Sequence, residues 1–517
     1  MSAARLLMFC LLGAGSAGTS AQAVDGAQVP QGFAGVKMGS GGRAWLLEPR
    51  VSTDVIWSDN AKHRESDKRS EFTTTVSPGL RLTANGQRLT GNLDYRITRV
   101  MRAQDTSADQ TQQSLRSTAR LEAIEDRLFV DYSGSITQRT ISAFGQQTDD
   151  PFSDNPNRTE VRTFQLSPYL QGRFGDLASY RLRYSTLTSR SKATVGSDQD
   201  NQQFSAGLSG LQGGSLFNWS VDANRHTADY KEGREVEADQ LRAVLGYRVI
   251  PELNIAFIPG WESNNYASVN KDSRLTWGVS ADWAVERTRL SAVVEDRFFG
   301  RSHAFSLTHR TQRTAWRLSD NKNVNVTPEQ FGRANVGVLY DVLFLQFESI
   351  EPDPVRRAIL VESFLAANGL NGQTPIDIGF QSSGASLQRR QDMSATWIGL
   401  RESVTFVAAQ SRSSSLFNTS SGFGDLTNSS FVRQQSFSLS YARRLRPGTS
   451  MNVLVSRLRS LGSQTGQSTT MNTFSLSFST QLGEHMSASI GLRRSDFDSP
   501  TSPYTENSIR GGLSVRF

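Results

Sequence analysis

From about residue 44 to the end of the chain, apolar and polar residues alternate with a period of two. One stretch sets Leu89, Gly91, Leu93, Tyr95 and Ile97 against Arg88, Thr90, Asn92, Asp94, Arg96 and Thr98. Another sets Leu128, Val130, Tyr132, Gly134 and Ile136 against Asp131, Ser133, Ser135 and Thr137. The pattern returns at Leu253, Ile255 and Phe257, at Phe474, Leu476 and Phe478, and at Met486, Ala488, Ile490 and Leu492. A period of two is that of a β-strand, whose successive side chains point to opposite faces. Many stretches last about 12–15 residues, more than the roughly 9–11 that cross a bilayer and far more than the ~5–6 of an ordinary strand. They predict an all-β chain: a large antiparallel transmembrane β-barrel whose alternate residues meet lipid and a wet lumen, with upper strand ends projecting beyond the bilayer.

The connections alternate in length as well. Asn85-Gly86, Glu125-Asp126, Gly175-Asp176, Gly213-Gly214, Pro251-Glu252, Pro447-Gly448 and Gly483-Glu484 suit tight turns. Between them lie long polar loops at 102–111, 146–159 and 411–430. Short turns at one end and long loops at the other imply a periplasmic and an extracellular end. Trp45, Trp57, Tyr95, Tyr132, Trp219, Trp261 and Trp283 lie towards strand ends and are expected to form interfacial girdles. The final residues set Ile509, Gly511, Leu513, Val515 and Phe517 against Ser508, Arg510, Gly512, Ser514 and Arg516. An alternating strand ending on an aromatic residue resembles the closing strand and assembly signal of bacterial outer-membrane barrels, which implies recognition by the barrel-assembly machinery.

One segment, 320–383, breaks the period. Asp353 reads as an N-cap and Pro354 as a first helical residue. Ala358, Val361, Phe364 and Leu365 then recur at helical spacing, and Asn368-Gly369 supplies the stop. This short amphipathic helix is expected to plug the lumen or cap one mouth. About fourteen strands precede the segment and seven follow. An odd total is unusual for a bacterial single-chain barrel, so the expectation is 22 strands, with 20 as the alternative. On that count the strand before the insert runs towards the periplasm, and the insert adds an upward strand or threads up the lumen.

Arg5, the apolar run from Leu6 to Leu12 and Ala21-Gln22-Ala23 make residues 1–23 a secretory signal peptide, implying Sec-dependent export. Residues 24–43 are glycine-rich and aperiodic, a flexible periplasmic lead-in before the barrel at 44–517. Cys10 is the only cysteine, so the mature chain has no disulfide. Mean hydropathy of −0.42 looks soluble, but a barrel shows lipid only every second residue. The net charge of +7, spread along the chain, gives no nucleic-acid signature; it suits outer-membrane lipid headgroups and acidic surface polysaccharide.

Several short patterns resemble the outer-membrane protein family associated with the PEP-CTERM/exosortase sorting system. They begin at Glu48-Pro49-Arg50-Val51 and Ser58-Asp59-Asn60, and continue through Ser77-Pro78-Gly79-Leu80 and Asn92-Leu93-Asp94-Tyr95. They are most specific at Phe299-Gly300, at the run from Ser306 to Thr311, and at Arg313-Thr314-Ala315-Trp316, and recur at the run from Leu365 to Leu370 and over 387–404. The resemblance implies an outer-membrane barrel of an exopolysaccharide or biofilm system, with exopolysaccharide or its export components as partners. It carries no catalytic residues to transfer.

The residues offer little catalytic chemistry. Of His63, His226, His303, His309 and His485, only His303 and His309 share a strand face, at six residues or about 20 Å apart. No metal site, cofactor or catalytic group is expected, and the chain reads as a non-enzyme. Inward arginines are more suggestive: Arg88 with Arg96, Arg181 with Arg183, and Arg242 with Arg248, alongside Asp94 and Asp131. They could line a wet lumen and select anionic sugars, or form internal salt bridges that fill the barrel. The expected task is passage or docking of surface polysaccharide or protein. A passive porin is the chief alternative and an outer-membrane hydrolase the third.

Overall fold

The structure, a computed structural model, describes residues 45–517 except 105, 193–197, 211–215, 418–423 and most of 328–378. The leader, the lead-in and the Gly213-Gly214 turn therefore lie outside the described residues. Twenty-two strands form one sheet. They are β1 (Trp45–Ser58), β2 (Glu71–Asn85), β3 (Leu89–Arg102), β4 (Gln110–Ile124), β5 (Leu128–Thr140), β6 (Arg158–Phe174) and β7 (Ala178–Ser191). Next come β8 (Gln199–Gly210), β9 (Phe217–Tyr230), β10 (Val236–Ile250), β11 (Leu253–Asn264), β12 (Asp272–Val285), β13 (Thr288–Arg297), β14 (Gly300–Arg310) and β15 (Thr314–Asn325). After the insert follow β16 (Ser386–Ile398), β17 (Glu402–Ser415), β18 (Val432–Arg446), β19 (Thr449–Gly462), β20 (Ser468–Gln481), β21 (Met486–Asp498) and β22 (Tyr504–Arg516). One helical turn, α1 (Asp425–Asn428), sits in the β17–β18 loop.

Each strand pairs antiparallel with the next, and β22 returns to β1 from Arg50↔Arg516 to Ser58↔Ser508. Closure leaves no free edge, which is what permits a sheet to stand in hydrocarbon. The outer face carries exposed Phe257, Val279, Leu439, Val455, Phe474, Leu492 and Ile509. The inner face of the same strands carries serine, threonine and charge, so the apolar face points outwards, the reverse of a soluble protein. Trp45, Trp219, Trp283, Trp316 and Trp397 all lie outward within two residues of the short-turn ends, a girdle at one interface. Tyr95 departs from expectation: it sits mid-strand, its hydroxyl donating to Gln113 at 3.4 Å.

Among the described residues, short turns follow the even-numbered strands from β2 to β6 and from β10 to β20. At Pro447-Gly448 the glycine has φ 81, the conformation that the third position of a proline-led type II turn requires. Long loops follow most odd-numbered strands, over 59–70, 141–157 and 416–431 among others. Two long loops thus differ from the expected bounds: 141–157 starts earlier, and β17 continues to Ser415.

Fifteen strands, not fourteen, precede the insert. The additional one is β15, which pairs with β16 from Thr314↔Trp397 to Asn325↔Ser386. Its outer face changes from Trp316 and Leu318 to Asp320 and Lys322, so the alternation fades as the strand leaves the bilayer. Hence the strand before the insert runs towards the long-loop end, contrary to expectation, and the insert, 326–385, leaves and rejoins the sheet at that end.

Candidate functional site

The lumen wall divides into two sectors. On β1 to β7 the inward positions carry Arg50, Arg81, Arg96, Arg116, Arg120, Arg181 and Arg183, with Glu48, Asp54, Asp94, Glu122 and Asp131 among the inward carboxylates. Asp94 lies directly opposite Arg81 on one side and Arg116 on the other. Arg81 bridges it at 3.4 Å, and Arg50 also reaches it from two strands away. That reach depends on Gly79, the strand residue between them. A Cβ there would lie 3.2 Å from Arg50 Nε and 3.0 Å from the Tyr95 carbonyl oxygen.

Asp131 repeats the arrangement. Arg120, its direct neighbour, donates to it at 2.9 Å, and Arg183 crosses β6 to bridge it at 2.5 Å. On the way the Arg183 guanidinium lies 4.6 Å from the centre of the Tyr169 ring, which stacks on Phe129 at 5.1 Å. Arg181 donates to Gln171 at 2.8 Å and flanks the same tyrosine at 5.4 Å. Arg96 faces the lumen opposite Gly79. The internal network thus claims Asp94, Asp131 and Arg183, while the wall as a whole keeps an excess of guanidinium groups. Such groups bind planar anions through paired donors.

The sector from β10 to β13 is balanced instead. Arg242 and Glu295 form a buried pair that bridges two intervening strands. Arg242 leans over Gly260, and Glu295 over Gly278, where a Cβ would lie 2.7 Å from Glu295 Cγ. Arg297 pairs with Glu262 at 2.6 Å beside it, and Glu262 also accepts the Phe298 amide at 2.6 Å. Arg248 is inward near the short-turn end, opposite Asn254. Arg88 corrects the expected lining: it is exposed in the turn before β3, its carbonyl accepting the Glu122 amide at 2.7 Å.

Two pieces of chain enter this space from the extracellular end. The insert leaves β15 inward, since the Val326 carbonyl accepts from Tyr230 at 2.5 Å and from Gln199 at 2.6 Å. Further on, Tyr340 lies under the Arg116 guanidinium, 4.1 Å from its ring centre, on the basic wall. Ala358, Val361 and Leu365 of the expected helix are helical and buried, as are Leu343, Phe347 and Leu360. Asp353, Pro354, Phe364 and Gly369 lie outside the described residues. The insert returns where Phe380 packs with Ala143, Leu426 and Val432.

Loop 141–157 folds over the same mouth and fastens to the far wall. Ala143 and Gln147 offer carbonyls to Thr469 at 3.2 Å and Tyr504 at 2.7 Å. Arg493 joins Asp150 at 3.6 Å to Glu506 at 3.4 Å, in a pocket that also holds His63. Asp425 accepts from Ser142 and from the Ala143 amide, and burial nevertheless holds its carboxyl above the ordinary range.

Catalytic groupings are weaker. His303 Nε2 contacts Asp320 at 3.0 Å on the outer face, and His309 Nδ1 contacts Thr288 at 2.8 Å. Among the described residues, no three metal-ligating side chains cluster.

The closed sheet, apolar exterior and occupied lumen define a large membrane β-barrel of the outer-membrane type. No protein-family model and no curated protein matches the chain. Solved structures of similar shape include the FrpB iron transporter from Neisseria meningitidis, at 7% identity and TM-score 0.47, covering 91% of this chain and 81% of that one. The ferric-catecholate import receptor Fiu from E. coli K12 matches at 8% and 0.46, covering 91% and 82%. The siderophore receptor PirA from Pseudomonas aeruginosa matches at 10% and 0.42, covering 91% and 80%. At such values no ligand transfers to this chain.

Proposed function

We propose that this barrel handles anionic surface polysaccharide, as a passage or docking partner in an exopolysaccharide system of the kind associated with PEP-CTERM sorting. The observation that carries the reading is the basic lumen wall of β1 to β7, with the insert seated on it through Tyr340 and Arg116. Guanidinium groups in excess over carboxylates favour a polymer bearing carboxylate or phosphate, and an extended chain could engage several of them in turn. The aromatic residue resting on Arg116 gives the insert a plug's position. A passive porin fits less well, because chain from the insert and from loop 141–157 occupies the path.

Two measurements test this. In planar bilayers the intact barrel is expected to conduct poorly, and deletion of 328–378 to open an anion-preferring channel whose preference falls in R96Q/R181Q. In cells, loss of the gene is expected to reduce secreted polysaccharide. Ordinary polymer yield, or an opened channel without anion preference, would count against the proposal.

A further inference from the structure

A row of cations crosses the outer face near the extracellular end. Lys322 on β15 lies opposite Arg389 on β16, Arg389 opposite Arg412 on β17, and Arg412 opposite Arg433 on β18, each as a direct Cα pair. Arg457 and Arg459 continue the band on β19. These positions share the face of exposed Trp316, Trp397, Phe437 and Val455, so they point away from the lumen.

Like charges directly opposed in a sheet are destabilising, so a row of this kind calls for counter-charge. Asp320 serves Arg389 at 2.7 Å and His303 at 3.0 Å. Among the described residues no carboxylate bridges Lys322, Arg412, Arg433, Arg457 or Arg459. Elsewhere at this end outward cations are matched: Arg99 with Asp109 at 3.3 Å, Arg190 with Asp200 at 2.6 Å, and Lys192 with Glu160 at 2.9 Å.

Position narrows the partner. Arg389 is eight residues from Trp397 on the same strand face. At ~3.4 Å per residue and a tilt of about 40°, it stands roughly 21 Å above that girdle, near the top of an apolar belt about 25 Å tall. The cations therefore lie at the headgroup level of the outer leaflet. Between Arg389, Arg412 and Arg433 and the belt runs an amide ladder, which Arg459 joins directly opposite Gln435: Gln435 donates to Gln410 at 2.7 Å, Gln410 to Gln391 at 3.2 Å, and Gln391 to Asp320 at 3.0 Å. The Arg412 guanidinium lies over the Phe431 ring, 4.6 Å from its centre.

We propose that this sector binds the phosphorylated glycolipid of the outer leaflet, its phosphates on the arginines and its sugar edge on the glutamine ladder. Guanidinium groups recognise phosphate through paired donors, and the ladder supplies donors and acceptors for sugar hydroxyls. The inference rests on the outer-membrane fold and not on the polysaccharide reading of the lumen. The test is native mass spectrometry of the full detergent-solubilised barrel with bis-phosphorylated lipid A and its dephosphorylated form. The variants are R412Q/R433Q/R457Q and a control on another sector, R99Q/R190Q, each checked for heat-modifiable migration. Wild type and control should bind alike, and the triple variant should lose affinity on the order of a hundredfold. Removing the phosphates should cost a similar factor. If the triple variant fails to fold, R412Q alone replaces it, with about a fivefold loss expected. Equal binding by the variant or by the dephosphorylated lipid overturns the proposal. So does an unchanged lipid affinity together with arginine-dependent retention of a soluble acidic polysaccharide.

Discussion

Arg493→Gln should release loop 141–157 from the mouth of the barrel. Arg493 bridges Asp150 of the loop, at 3.6 Å, and Glu506 of β22, at 3.4 Å. Its side chain is 18% exposed, while Asp150 and Glu506 are 10% and 2% exposed. At an effective dielectric of about 20, a pair at that distance is worth roughly 5 kcal/mol before desolvation. Breaking a buried pair by removing one partner costs about 3–5 kcal/mol, because the remaining charge is left uncompensated. Here the residual charges are like-signed and face one another across the interface, so the whole cost falls on docking. A loss of about 3 kcal/mol multiplies the open population on the order of a hundredfold. The reporter is Thr148→Cys, at a loop position 6% exposed in a chain whose only native cysteine is Cys10. Thiol labelling of the Thr148→Cys barrel should accelerate by about that factor when Arg493→Gln is added. Labelling that stays within about threefold of the parent, in a barrel migrating as folded, would refute the reasoning.

Three further outcomes follow from the same geometry. Burial holds the Asp149 carboxyl above its ordinary 3.8, against the opposing effects of Thr473, Arg493 and Arg158 and with some help from Glu506. The docked loop then binds that proton more tightly than the free loop, so docking weakens as pH rises from 3.8 through the raised value. Labelling corrected for intrinsic thiol reactivity should rise over that window, and Asp149→Asn should flatten it. Gly278→Val should push Glu295 off Arg242 and cost about 3–5 kcal/mol, lowering the temperature at which the folded gel band is lost; Gly511→Val, with open space around it, should not. Phe517 is 72% exposed, and its amide donates to the Pro49 carbonyl at 2.9 Å. Phe517→Ala should therefore slow assembly in cells while leaving the melting of the finished barrel within about 1 kcal/mol of the parent, and unchanged assembly kinetics would remove its role as a signal.

Much of this molecule can be read from local pattern. Alternation locates strands wherever the outer face is apolar, and it fails at β15, where Asp320 and Lys322 replace the lipid-facing residues. Tight turns carry register with them. Counting outward from Glu125-Asp126 sets Arg120 opposite Asp131, whereas counting from Asn85-Gly86 sets Arg81 opposite Thr90; the structure centres that turn on Gln87-Arg88 and so brings Arg81 to Asp94. The first partner was within reach of the sequence once the hairpin was recognised, the second was not. Arg88 shows the limit, since the same count cannot say where the strand stops and the turn begins.

The one-dimensional order of residues determined which faces meet lipid and where most hairpins bend, because each depends on neighbours a few positions apart. It could not supply the reach of Arg183 or Arg242 across a neighbouring strand, the seating of Tyr340 on Arg116, or the fastening of loop 141–157 to β20, β21 and β22. Nor could it align Lys322 with Arg389 across the sixty residues 326–385. Those contacts exist only after the sheet has curled shut, since closure brings opposite walls within side-chain range and long connections carry no register of their own.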